Sequence, residues 1–316
     1  MPRLLIAGPH RYADLARLWH RFVVRELVPA FARLQLQVQV NIFCDGNADR
    51  FDPNLFPEVR LSATGPGKRD FMEFYDAALK EPCDFLLFLD ADTFFLDGDW
   101  AAAYFQAFHD PKVAAVSFVP RKGAPAIFAL LCRVESYRAL PVPVLACRYE
   151  FPERWPQGVN LQPGDFAARA LVASGKTIVS LGPAESAEHI ANFRSTTGVR
   201  SSREHITRAA GEGVFWQVFA EQSAYIAAAY DNVLLGCLYE ALFHEPFAPD
   251  AAGTPLGASA TVADLTEVLK EVRGTKQLEF LRESFERSRR AVLRMAAREG
   301  VELSLPPFLG TEAFPT

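Results

Sequence analysis

CDFLLFLDADTFFLDGDW, residues 83–100, runs five apolar side chains, Phe85 to Leu89, straight into Asp90-Ala91-Asp92. The run is strand-length and has no polar position, as expected of a strand covered on both faces. If strand geometry persists past Leu89, side chains at i and i+2 share a direction, and Asp90 and Asp92 aim together from the C-terminal end. In open α/β sheets that edge is where ligands bind. Two neighbouring like charges require a cation or shared hydrogen bonds. Oxygen ligands favour Mg²⁺, Mn²⁺ or Ca²⁺, and Mg²⁺-type ions complete their shell with water and substrate phosphates. The plainer alternative is a capped turn with both charges solvated.

Outward from this stretch the pattern alternates. RLLIAG at residues 3–8 predicts a first strand ending in the loop GPHRY, then a helix over residues 13–33 that Pro29 bends or breaks. LQVQVNIFC predicts a second strand closing on the turn Asp45-Gly46-Asn47, and VRLSA a short third before Gly65-Pro66-Gly67. FMEFYDAAL reads as an amphipathic helix leading into FLLFL. KVAAVSFV and AIFALLCR predict further strands, and DFAARALVAS a helix stopped by Gly175 before the strand TIVSL. Strands alternating with helices predict an α/β fold with a mostly parallel, Rossmann-like sheet flanked by helices. From about residue 202 the chain turns helical, with a second helical block over residues 262–298.

The chain has 316 residues, half of them hydrophobic, and a formal net charge of −5. That length suits one large domain or a domain with an extension. The mild acidity argues against a nucleic-acid partner. Five cysteines, at 44, 83, 132, 147 and 237, form no CxxC pair, which argues against a disulfide framework or a zinc site. The N-terminus lacks a signal-peptide pattern, and no window approaches 18 uncharged apolar residues, so no transmembrane segment is expected. A soluble, cytoplasmic protein is the expectation.

Haloacid-dehalogenase-type phosphatases also place an apolar strand before DxDx[TV]. Here Phe94 stands in the Thr/Val slot, and the later Gly164-Asp165 is followed by Phe166, Ala167 and Ala168, with no second carboxylate. FLLFLDADTFFL instead resembles the DxD strand of GT-A glycosyltransferases, particularly family 2-like ones. GDFAARALVASGKTIVSL resembles the family segment in which an acidic residue opens a helix, and EHIANFRS the stretch that brings a His towards the metal or diphosphate. The resemblance covers roughly the first two hundred residues. It implies a GT-A catalytic domain over residues 1–200 and a helical extension over 201–316. It implies a Mn²⁺ or Mg²⁺ ion on Asp90 and Asp92 with His189 beside it, and a UDP-, GDP- or dTDP-linked sugar donor. Asp165 would be the base that deprotonates an acceptor hydroxyl, with inversion at the anomeric carbon. Where the family often has a double aspartate after an early strand, this chain has Cys44-Asp45-Gly46, which leaves Asp45 to contact the base.

Lys68 and Arg69 precede a helix and could meet a diphosphate at its positive end. His10 and Arg11 lie on the loop after the first strand, a usual nucleotide contact in this fold. Arg194, Arg200 and Arg203 follow His189, and Tyr149, Phe151 and Trp155 in the loop RYEFPERWPQGVNLQP could stack on an acceptor sugar or pack the loop. Trp216 reads as core. Asp165, after Pro163-Gly164, is expected to cap its helix. In the last helix Leu278, Leu281, Phe285, Ser288, Val292 and Met295 form a seam, expected to pack on the catalytic domain or on a second subunit as a homo-oligomer contact. Arg287, Arg290, Arg294 and Arg298 form another face, solvated or turned to anionic lipid. Two further readings stay open: a sugar nucleotidyltransferase of related fold, and a non-catalytic protein that binds nucleotide-sugars.

Overall fold

The computed structural model describes residues 1–44, 51–63, 71–117, 120–121, 124–125, 129–140, 164–180, 189–193, 223–247 and 275–305. The chain forms two compact units, Met1–Ile190 and Ala191–Thr316.

The first unit is built on a seven-stranded sheet. Its strands are β1 (Arg3–His10), β2 (Gln37–Cys44), β3 (Val59–Ala63), β4 (Phe85–Leu89), β6 (Val113–Ser117), β9 (Ala129–Arg133) and β10 (Thr177–Ser180), in the order β10-β6-β9-β4-β1-β2-β3. Every neighbouring pair is parallel except those made by β9, which runs antiparallel to both β4 and β6. The short strands β5 (Thr93–Phe95), β7 (Pro120–Arg121), β8 (Ala124–Pro125) and β11 (Ile190–Asn192) lie outside this sheet. The mostly parallel α/β architecture read from the alternating pattern is the one observed.

Helices cover both faces: α1 (Ala13–Phe22), α2 (Val28–Arg33), α3 (Phe71–Lys80), α4 (Ala101–Gln106), α5 (Val134–Arg138) and α6 (Asp165–Ala173). All five residues of β4 are buried, as its apolar run requires. Leu86 and Phe88 face a cluster with Tyr75 and Ala78 of α3, Tyr137 of α5 and Ala167 and Leu171 of α6. On the opposite face Phe85 meets Phe105 and Phe108, with ring centroids 4.8 and 5.2 Å away.

Pro29 does not end the predicted first helix. The helix passes through a π turn, Val23–Leu27, and Val28 N–H bonds the Val23 carbonyl five residues back. Pro29 then occupies the first turn of α2, where its missing N–H costs least. α6 ends as its sequence indicates. Gly175 takes φ 78°, Gly175 N–H bonds the Val172 carbonyl, and Lys176 N–H bonds that of Leu171. These are the two bonds of a Schellman cap, which needs a left-handed residue.

In the second unit, α7 (Ser223–Phe243) packs with α8 (Thr275–Glu299). Leu281, Phe285, Ser288, Val292 and Met295 of the predicted seam are buried. The Phe285 ring stacks on Tyr230 of α7 at 3.8 Å and 5°. The seam therefore packs on a helix of its own unit. Arg287, Arg290, Arg294 and Arg298 are exposed. Within α7, Ile226–Phe243 has a mean hydropathy of 1.3 and is long and apolar enough to cross a membrane. The window is not an uncharged run, since Asp231 and Glu240 lie within it. In the structure 72% of that stretch is buried within the protein, Asp231 and Asn232 included.

Candidate active site

Parallel strands end together, so the C-terminal residues of β1, β2, β3, β6 and β10 and Leu89 of β4 define one edge of the sheet. Asp90 and Asp92 leave from the middle of that edge. They do not continue the strand. The Asp90 carbonyl accepts Thr93 N–H at 3.0 Å, so residues 90–93 form a tight turn. The two carboxylates are thus placed by turn geometry, not by the alternation of an extended chain. Asp92 is buried and Asp90 half-buried.

Tyr75 of α3, fully buried, donates its hydroxyl to the Asp90 carboxylate. Its ring lies 4.1 Å from that of Phe88. Burial first, and then the charge of Asp90, hold the tyrosine pKa well above its usual range, so the hydroxyl keeps its proton to donate. Asp90 is therefore fixed from beneath by a helix across the core.

β5 follows the turn and leads to Asp97-Gly98-Asp99-Trp100. Gly98 lies against the helix: a Cβ there would stand 2.4 Å from the Glu26 carbonyl oxygen and 2.6 Å from Ala30 Cβ. Only glycine allows that approach. Trp100 donates its indole N–H to the Asp97 carbonyl at 2.8 Å and stacks on Phe95 at 4.6 Å. On this clamped turn the Asp97 carboxylate meets His189: Nδ1 lies 2.8 Å from Oδ1. The His189 carbonyl in turn accepts Leu96 N–H at 2.7 Å. His189 is thus tied at ring and backbone to the segment that follows the Asp90–Thr93 turn.

Asp165 is the first residue of α6, and Gly164, at φ 91°, occupies the cap position in its place. The left-handed backbone before the helix requires glycine there, which displaces Asp165 from the cap its sequence position suggested. α6 leads through a tight turn into β10, so its N-terminus rises towards the edge that carries Asp90. Ala167 and Leu171 lock it into the cluster holding Phe88 and Tyr75.

His10, at the end of β1, is buried, with its ring 4.8 Å from that of Trp19 and neither ring nitrogen hydrogen-bonded. Burial lowers its pKa to about 3, so the imidazole is neutral. As placed, it offers no surface to a ligand. Arg11 is half-buried, its guanidinium 5.7 Å from the Tyr12 ring centroid. Asp45, Lys68, Arg69, Arg194, Arg200, Arg203 and Trp216, with the aromatic loop of Tyr149, Phe151 and Trp155, lie outside the described residues.

Among the described residues no three His, Cys, Asp or Glu side chains gather closely enough to hold a metal by themselves. Asp90 and Asp92 still offer two hard oxygen donors on one turn. That set fits a Mg²⁺- or Mn²⁺-type ion whose remaining ligands are water and phosphate oxygens, and it does not fit an all-protein cage. The two site features absent from the sequence reading are Tyr75 and Asp97. Asp97 had a local signal, the Asp-Gly-Asp turn of LDGDW; Tyr75 had none.

No family model matches the chain, and no curated protein does. Among solved structures it is similar to a mannosyltransferase from Pyrobaculum calidifontis in complex with GDP-Man and Mn²⁺, at 12% identity and a TM-score of 0.44, over 94% of this chain and 86% of that one. A glucosyl-3-phosphoglycerate synthase from Mycobacterium tuberculosis matches at 10% identity and a TM-score of 0.38, over 57% of this chain and 68% of the other. A CMP:2-keto-3-deoxy-manno-octonic acid synthetase matches at 10% identity and 0.33, over 57% and 89%. Likenesses this distant say nothing of activity.

Proposed function

We propose that this protein is a glycosyltransferase that moves a sugar from a nucleotide-diphosphate sugar to an acceptor hydroxyl. One observation carries the reading: a turn bearing Asp90 and Asp92 leaves the ligand-binding edge of the sheet from its central buried strand, and the acid-led helix α6 rises towards that edge. Asp90, held by Tyr75, and Asp92 would hold a divalent cation jointly with the donor diphosphate. A cation bound there supplies charge neutralisation for the departing nucleoside diphosphate. Asp165 would accept the acceptor's proton as its oxygen attacks the anomeric carbon. A single direct attack inverts that carbon.

The test pairs binding with transfer. Melting temperature is measured with UDP-, GDP- and dTDP-linked sugars, with and without Mn²⁺, since a ligand that binds only the native state raises it. One base should stabilise the protein, and only with metal. Asp165→Asn should keep that binding and lose transfer by roughly a hundredfold to ten-thousandfold, the range for general-base loss. Metal-independent binding, or near-normal transfer by the Asn variant, would refute the respective assignment. Release of pyrophosphate from a nucleoside triphosphate would instead identify a nucleotidyltransferase.

A further inference from the structure

Between Arg287 and Arg298, α8 carries five arginines and no acid, in a chain whose net charge is −5. Arg287, Arg290, Arg294 and Arg298 are exposed, whereas Arg289 is half-buried. Steps of three and four residues return to one face of a helix, so the exposed four form a single row. At about 1.5 Å per residue the row is roughly 16 Å long. Ala291 and Ala297, which flank it, are too short to hold a surface away from the guanidinium groups.

Helix physics alone does not account for this row. Basic side chains favour the C-terminal end of a helix, but the effect fades within one turn, and of the four only Arg298 falls in the last turn of α8. Arg290, Arg294 and Arg298 stand at successive i, i+4 positions, where like charges destabilise a helix. A face kept only for solubility mixes its signs, as the first half of α8 does with Lys276, Glu279, Arg282, Glu283 and Glu286. The apolar side of the helix is already occupied. Phe285 stacks on Tyr230 of α7 at 3.8 Å, and Leu281, Val292 and Met295 are buried. The arginines are therefore presented as a fixed row, with the seam behind them committed to α7.

We infer that this row docks the protein on an anionic lipid surface, by charge and without insertion. A flat bilayer meets a straight row along its whole length, and each arginine near such a surface adds roughly fivefold to partitioning. A nucleic-acid duplex is the poorer partner: its specific interfaces bury on the order of several hundred to a few thousand Å², more than one row of side chains supplies. The row belongs to the second unit, and its role is independent of the chemistry proposed for Asp90, Asp92 and Asp165.

The test floats the full chain with vesicles of phosphatidylcholine, with and without phosphatidylglycerol, and measures the bound fraction across salt. Only the anionic vesicles should retain the protein. Binding should fall steeply from about 0.1 M to about 1 M salt, as the Debye length shrinks from about 10 to about 3 Å. Arg290→Gln and Arg294→Gln should each lose about fivefold in partitioning, and about 25-fold together. Each also relieves an i, i+4 repulsion, so melting temperature should hold or rise while binding falls. Arg21→Gln with Arg33→Gln, at exposed positions of the first unit, removes the same charge elsewhere and should leave partitioning unchanged.

Equal binding to neutral vesicles, or binding that survives high salt, would show apolar insertion and overturn docking by charge. An equal loss in the first-unit control would reduce the effect to net charge and overturn the row as its source. A parent that ignores anionic vesicles overturns the lipid as partner, and its retention of a random DNA duplex would reassign the row to nucleic acid. Should a variant fail to fold, the parent's dependence on lipid charge and salt still tests docking by charge.

Discussion

Acid should weaken this fold through the buried ring of His10. His10 is buried at the end of β1 with no hydrogen-bond partner, and burial lowers its pKa from 6.5 to about 3. The unfolded chain binds a proton at this site below pH 6.5, while the folded chain does not until about pH 3. Between those values the unfolded state holds the extra proton, so stability falls as pH falls. The slope for one group is ~1.4 kcal/mol per pH unit, or about 2 kcal/mol between pH 6.5 and 5. His10→Phe removes the titrating group and keeps a flat ring against Trp19. It also deletes two unsatisfied buried nitrogens, whose desolvation costs on the order of 1–3 kcal/mol. The variant should therefore match or exceed the parent at pH 7.5, and its advantage should widen by about 2 kcal/mol at pH 5. Urea unfolding read by tryptophan fluorescence at pH 7.5, 6.5, 5.5 and 5.0 measures the difference, with the other titrating groups common to both proteins. A constant difference across the series would refute the buried neutral imidazole. If His10→Phe is equally stable but loses nucleotide affinity, the ring leaves the core to meet a ligand, as its place in the sequence suggests.

The other expectations are brief. Asp90→Ala and Asp92→Ala should each abolish Mn²⁺-dependent affinity for nucleoside diphosphate in calorimetry while circular dichroism stays native; unchanged affinity in either would remove that carboxylate from the site. Because two carboxylates need phosphate ligands to complete the shell, Mn²⁺ alone should bind far more weakly than Mn²⁺ with diphosphate, and equal affinities would point to a protein cage. Tyr75→Phe should cost about 1 kcal/mol of stability in urea titration, since Asp90 can turn to water. It should also reduce metal-dependent nucleotide affinity, and an unchanged affinity would mean Asp90 needs no anchor. Leu281→Ala, at a fully buried position of the seam, should cost about 2–5 kcal/mol without changing the size measured by light scattering. A change of oligomeric size would show that α8 also meets a second copy.

The sheet was legible because its signals are local. A run such as FLLFL carries its burial in its own composition, and Gly175 after DFAARALVAS announces a left-handed cap whatever surrounds it. Neighbouring residues can still mislead where two local rules compete. Asp90 and Asp92 have strand spacing, but the i to i+3 bond to Thr93 turns the chain, and Gly164 takes the cap that Asp165 might have filled. The long-range contacts are a different matter. Nothing near Asp97 in the chain indicates that a histidine 92 positions later will meet its carboxylate, and nothing in FMEFYDAAL marks Tyr75 as the donor to Asp90. Those contacts exist only once the sheet has set the order β9-β4-β1 and packed α3 across it. The same layering explains which residues hold the site. The residues proposed or expected to meet a ligand, Asp90, Asp92 and His189, stand on turns and cannot fix their own geometry. Tyr75 on a buried helix and Asp97 on a turn clamped by Gly98 and Trp100 supply the fixed points, so conservative changes at these two positions are the sharper test of whether the turn is a working site or only a solvated bend.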